Sequence, residues 1–158
     1  MRLGITGHRG LSPAVEHQVR QLLGQAVVSR APSGLTVLSC LADGPDTWLA
    51  EIVLAHGGTL EAVLPATQYR ADLPEDHHPL YDALLAQAAR VHRTGFDTSG
   101  SQAHMAGSEL LVDQADELLA VWDGQPARGH GGTADVVRYA QRHNVPVTVL
   151  WPHGASRD

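Results

Sequence analysis

The chain has 158 residues, 43% of them hydrophobic and 18% charged, which is enough to bury one core and too little to suggest two. Its 17 acidic residues against 11 basic ones give a formal charge of -6, which opposes polyanions, so nucleic acid is not expected as a partner. Cys40 is the single cysteine, no signal peptide is visible, and no stretch approaches the roughly 20 apolar residues that span a bilayer; a cytoplasmic protein without membrane partner, internal disulfide or thiolate zinc cluster is expected.

The chain opens with a β-branched apolar run, Leu3 to Thr6, of a length suited to a buried strand. Thr6-Gly7-His8-Arg9-Gly10 follows, where glycines let backbone amides approach a ligand and Arg9 adds a charged fork. This loop lacks the GxGxxG spacing, and no acid closes the second strand to read a ribose, so classical NAD binding is disfavoured. Ser12-Pro13 place a cap and a proline before a helix whose Val15, Val19, Leu22, Leu23 and Ala26 form one apolar stripe. A second strand, Thr36 to Leu41, carries Cys40, expected as a buried and inert thiol. Asp43-Gly44-Pro45-Asp46 then opens a helix with Trp48, Leu49, Ile52 and Val53 on its apolar face. The two carboxylates suit ribose hydroxyls, and they suit helix capping equally, because the dipole favours acids in a first turn.

After a third strand, Leu60 to Leu64, the stretch from Pro65 to Pro79 has three prolines and no period and reads as a loop. Its Asp76-His77-His78 is a solvated segment rather than a metal site. With His56 and His92 added, the histidines still show no ligand spacing, and neither metal nor cofactor is expected. Helices are expected at Leu80 to Arg90 and His104 to Gln114, separated by a polar connection over residues 95–103. The second of these helices holds Met105-Ala106-Gly107-Ser108-Glu109. A fourth strand, Leu118 to Trp122, ends at Asp123-Gly124 and leads to Gly129-His130-Gly131-Gly132-Thr133 at the start of a helix, Thr133 to His143. That segment is the strongest anion-site candidate, since small residues expose amide groups at a helix amino terminus; a plain turn with Thr133 as N-cap is the simpler alternative. A fifth strand, Val145 to Trp151, completes one domain, residues 1–152, followed by a short tail, 153–158.

Strands alternating with helices imply an α/β fold with a mostly parallel five-stranded sheet and helices on both faces. Ligands of such sheets bind outside the carboxyl ends of the strands, where all four glycine-bearing segments fall. No GxSxG elbow supports serine catalysis.

In order, GITGHRG, LADGPDTWLAE, AGSELLVDQADELLAVWDG and GGTADVVRYAQRHNVPV resemble the SLOG superfamily, which includes the Lonely Guy phosphoribohydrolases, the YpsA-like proteins and the Rossmann-like domain of DNA-processing protein A. The resemblance covers most of residues 2–151 and is most specific from AVWDG to GGTADVV. It implies a Rossmann-like three-layer fold and a nucleotide pocket with phosphate at the Gly-Gly-Thr loop. The hydrolase branch reads PGGxGTxxE with an arginine on another helix. Here Val136 stands where that glutamate would be, Asp135 is one position and about 100° of helix early, and Ser108 stands in place of the arginine.

The resemblance and the loops together favour binding or sensing of a small nucleotide or nucleotide derivative over enzymatic activity. The expected ligand-binding set is Gly7, His8, Arg9, Asp43, Gly44, Asp46, Ser108, Asp123, Gly124, Gly131, Gly132 and Thr133. The alternative is a phosphoribohydrolase cleaving the N-glycosidic bond of nucleoside 5'-monophosphates, with Asp135 or Glu109 as its acid. Single-stranded DNA binding is disfavoured by the acidic balance and the lone Phe96. A homodimer through the helix near Met105 to Val112 is left open, with an amphipathic core helix the simpler account.

Overall fold

The computed structural model describes residues 1–157. Six strands form one sheet in the order β4-β3-β2-β1-β5-β6, every pairing parallel: β1 (Arg2–Gly7), β2 (Thr36–Ser39), β3 (Thr59–Leu64), β4 (Arg90–Arg93), β5 (Glu117–Val121) and β6 (Val147–Val149). Leu3 pairs with Val37 on one side and Glu117 on the other, and Ile5 pairs with Leu119; Leu3, Val37 and Leu119 are wholly buried. Burial on both faces is what makes these runs continuously apolar rather than alternating.

The helices are α1 (Pro13–Val28), α2 (Pro45–Ala55), the short α3 (Tyr69–Asp72), α4 (His78–Ala86), α5 (Ser101–Asp113) and α6 (Thr133–Arg142). Right-handed crossovers put α1, α2 and α4 on one face and α5 and α6 on the other, matching the observed packing of α1 on α2, α2 on α4, and α5 on α6. The result is the Rossmann-like three-layer fold with helices on both faces. Ser12 caps α1 by accepting from the Val15 amide at 3.3 Å, and Pro13 and Pro45 each occupy the first helical turn. Gly44 precedes α2 at φ 103°, ψ -144°, a conformation open to glycine alone.

The sheet has one strand more than the five expected. Residues Arg90 to Arg93 form β4 at the sheet edge, although Arg90 reads as a helix end; an edge strand is half solvated and needs no apolar run. The stretch from Pro65 to Pro79 is not a bare loop, since it holds α3, a 3-10 turn at Glu75–His77 and the start of α4. His77 is buried, with Nε2 3.0 Å from the Leu41 carbonyl oxygen, so it is not a solvated residue. The last strand is only Val147–Val149, shorter than Val145 to Trp151. No helix among the described residues is long and apolar enough to cross a membrane.

Candidate functional site

The order β4-β3-β2-β1-β5-β6 reverses direction between β1 and β5, because the chain leaves β1 toward one face and β5 toward the other. Loops diverging at such a point open a crevice at the carboxyl ends of the strands. A cavity of about 360 Å³ lies there. Its walls come from the end of β1 (Thr6 to Arg9), the end of β2 with the start of α2 (Cys40, Ala42, Asp46), α3 (Tyr69, Asp72), α5 (His104, Ser108), the loop into α6 (Arg128 to Thr133) and Arg157.

On the α6 side, Gly132 is the N-cap and makes no side-chain cap bond, so Thr133 opens the helix as its first residue instead of capping it. The Gly132 amide donates to the Gly129 carbonyl oxygen at 3.2 Å, and the Gly131 amide donates to Asp135 Oδ2 at 3.0 Å. The Thr133 and Ala134 amides donate to no acceptor among the described residues. With the helix dipole behind them, these two groups are a ready place for an anion, and Thr133 lines the cavity. Gly131 sits at φ 85° with a Cβ position 3.1 Å from the Ser101 carbonyl oxygen, which explains its glycine twice over.

Other glycines serve packing. A Cβ on Gly7 would meet Pro45 and Val121 at 2.8 to 2.9 Å, and one on Gly132 would meet Ala127 Cβ at 2.8 Å. Gly7 therefore lets the β1 end, the α2 start and β5 close on one another.

Arg9 lines the cavity and is held by Asp43, with Nε and Nη2 at 2.9 and 2.6 Å from Oδ1. Burial works against its charge, but the Asp43 carboxylate raises the guanidinium pKa overall. His8 is buried, with Nε2 3.1 Å from both Oδ1 and the backbone nitrogen of Asp123 and its ring edge-on to Trp151 at 5.6 Å. Burial first, then the neighbouring Arg157 and Arg128, lower its pKa against the pull of Asp123, so the ring favours its neutral form. His8 thus ties the two lips of the crevice together. Arg157 comes from the segment expected to be a mere tail; its Nε lies 3.1 Å from Asp123 Oδ2 but off the hydrogen-bonding direction, leaving a buried donor without an acceptor.

The opposite wall is polar and desolvated. Asp46 is half-buried; burial of its carboxyl pushes its pKa up to about 7, against the Ala42 amide that donates to Oδ2 at 3.3 Å. Burial likewise raises the Cys40 thiol and the Tyr69 hydroxyl well above their usual ranges, so both stay protonated. His104 packs edge-on to Tyr69 at 5.6 Å, and burial lowers its pKa.

Of the residues singled out in the sequence, Gly7, His8, Arg9, Asp46, Ser108, Gly131, Gly132 and Thr133 line this cavity. Asp43 and Asp123 stand behind it as partners of Arg9 and His8, Gly44 sets the α2 entry, and Gly124 lies outside the lining. Glu109 and Asp135 open instead onto a separate depression with Met105, Arg138, Tyr139 and Arg142. Tyr69, Asp72, His104, Arg128 and Arg157 belong to the cavity without having been marked in the sequence. Tyr69 and Asp72 are hidden there by the aperiodic stretch around α3.

No protein-family model matches the chain, and no curated protein resembles it significantly in sequence. Solved structures do. DNA processing protein A from Streptococcus pneumoniae superposes with a TM-score of 0.69 at 15% identity over 99% of this chain and 52% of that one, so the chain spans about half of its length. The Helicobacter pylori protein of the same name, solved for its single-stranded DNA binding mode, gives 0.70 at 18% identity over 99% of this chain and 68% of that one. The molybdenum cofactor binding protein of Rippkaea orientalis gives 0.61 at 18% identity, covering 94% and 74%. At these identities the likeness shows the fold alone, and that fold is Rossmann-like.

These likenesses overturn the expectation that nucleic acid is ruled out as a partner. Net charge was the wrong measure. A formal charge of -6 does not fix the charge at one place: Arg9, Arg128 and Arg157 line the cavity, together with Asp46 and Asp72.

Proposed function

We propose that the cavity binds a phosphate-bearing nucleotide or nucleotide-derived ligand, with the phosphate at the start of α6. One observation carries this reading: the unspent Thr133 and Ala134 amides open a ten-residue helix at the crevice where the sheet reverses direction, beside a cavity also lined by Arg9, Arg128 and Arg157. A cavity of about 360 Å³ fits a ligand of nucleotide size.

Binding is preferred to N-glycosidic hydrolysis, since Glu109 and Asp135 face another depression. Release of ribose 5-phosphate from any nucleoside monophosphate on prolonged incubation would reverse that preference. The likeness to a single-stranded DNA binder extends the proposal to the phosphates of a strand, and competition between a short oligonucleotide and a monophosphate tests whether both use one cavity.

Calorimetric titration with nucleoside 5'-monophosphates tests the reading on the wild type and on Thr133→Asp. An acid in the first turn suits the helix dipole, so the variant keeps the α6 start while setting a carboxylate against the phosphate. Saturable binding in the wild type that disappears in the variant is expected. Equal affinity in both would remove the phosphate from α6.

A further inference from the structure

The cavity has two unlike walls, and only the α6 side suits an anion. Across from it stand Asp46 from the first turn of α2 and Tyr69 from α3. One oxygen of Asp46 is engaged by the Ala42 amide, and the other has no protein partner among the described residues. Tyr69 is 5% exposed, and its hydroxyl makes no hydrogen bond among the described residues. Neither atom is among the fully buried groups left unpaired, so both stay open to water or to a ligand in the cavity.

The groups facing Asp46 settle what it can pair with. Arg9 favours its charged form, Asp43 opposes it, and Cys40 and Tyr69 are neutral neighbours; Asp72 and His104 line the same cavity further along. Burial outweighs Arg9, whose charge is already engaged by Asp43, and brings the Asp46 pKa to about 7. An anionic phosphate entering the cavity would favour the neutral carboxyl further. A neutral carboxyl and a phenol are both donors.

Building on the proposed phosphate site, we infer that Asp46 and Tyr69 form a second, neutral subsite that donates hydrogen bonds to an acceptor edge of the nucleoside, so that the ligand is held as a phosphate at one wall and a base or sugar acceptor at the other. Binding through a protonated Asp46 takes up a proton. Affinity is therefore greatest below the Asp46 pKa and falls as pH rises through it.

The test compares inorganic phosphate with the best-bound of the adenosine, guanosine, cytidine and uridine 5'-monophosphates, each titrated at pH 6 and pH 8. For the nucleotide, a loss on the order of tenfold is expected from pH 6 to pH 8, as one linked proton requires. Inorganic phosphate, which meets only the field of Asp46 and no hydrogen bond from it, shows a smaller loss. Asp46→Asn, which keeps a donor and cannot ionise, holds its pH 6 affinity at pH 8. Tyr69→Phe weakens nucleotide binding by roughly three- to tenfold and leaves inorganic phosphate unchanged, a readout that stands if the Asn variant folds poorly. A nucleotide profile parallel to that of phosphate, or an Asn variant weakened equally at both pH values, overturns the subsite. Failure of inorganic phosphate and nucleotide alike to bind overturns the phosphate site itself, so the two failures are distinguishable.

Discussion

Two regions of the sheet carry charged and polar groups and use them in opposite ways. In its amino-terminal half, hydrogen-bonding capacity is spent internally. Arg2 forks onto both oxygens of Glu61 at 2.9 and 3.0 Å and donates through Nε to the Gln114 carbonyl oxygen, while His92 Nε2 lies 2.8 Å from the same Glu61. Arg30 forks onto Glu117 at 2.8 and 2.9 Å, and the Thr148 hydroxyl donates to it at 2.6 Å. At the carboxyl end, the Thr133 and Ala134 amides, one Asp46 oxygen and the Tyr69 hydroxyl have no such partner among the described residues. Charge alone therefore does not single out the candidate site; unspent capacity facing a cavity is what distinguishes it.

The comparison breaks most visibly through Thr133→Asp. Placing a carboxylate at the proposed anion site should weaken nucleotide binding by about thirtyfold or more, roughly 2 kcal/mol or above, with the melting temperature little changed. Next in size is Glu61→Gln, expected to cost about 2 to 3 kcal/mol of stability in denaturant titration and to leave nucleotide affinity intact. The cause is Arg2, whose hydrogen bond leads in holding the Glu61 pKa near 2 against an ordinary 4.5. A lowered carboxylate pKa stabilises the fold above the unfolded value and loses that contribution as pH falls through the folded one. The wild type should therefore lose stability between about pH 4.5 and 2 more steeply than Glu61→Gln. The smallest effect sharpens the boundary between the regions: Gly44→Ala should cost about 1 to 2 kcal/mol from φ 103° alone, since the nearest atoms to its Cβ are no closer than 3.5 Å. A variant that folds normally there would show that the α2 entry, and with it Asp46, is less fixed than the backbone implies.

The layered fold was legible because β1, β2, β3 and β5 are buried on both faces, so their apolar runs stand out against Ser12-Pro13 and Gly44-Pro45. β4 was not, since Arg90, His92 and Arg93 suit an edge and break any apolar run. The α6 side of the cavity could be read from its glycines, although Gly7 and Gly132 turn out to serve close packing, which leaves no mark in a sequence. The opposite wall was half visible. Asp46 was marked for its place before a helix, but Tyr69 lies in a stretch with no period, and Arg157 enters the cavity by a long-range return of the chain. Position in sequence also favoured Glu109 and Asp135, whereas their faces of α5 and α6 turn them away.

The most direct test is a titration of the isotopically labelled protein with inorganic phosphate and then a nucleoside monophosphate, followed through its backbone amide resonances. Saturable shifts greatest at Thr133, Ala134 and Arg9, with Asp46 and Tyr69 responding to the nucleotide alone, are the predicted result. Shifts centred on Arg2 and Arg30, or none at the start of α6, would contradict the account.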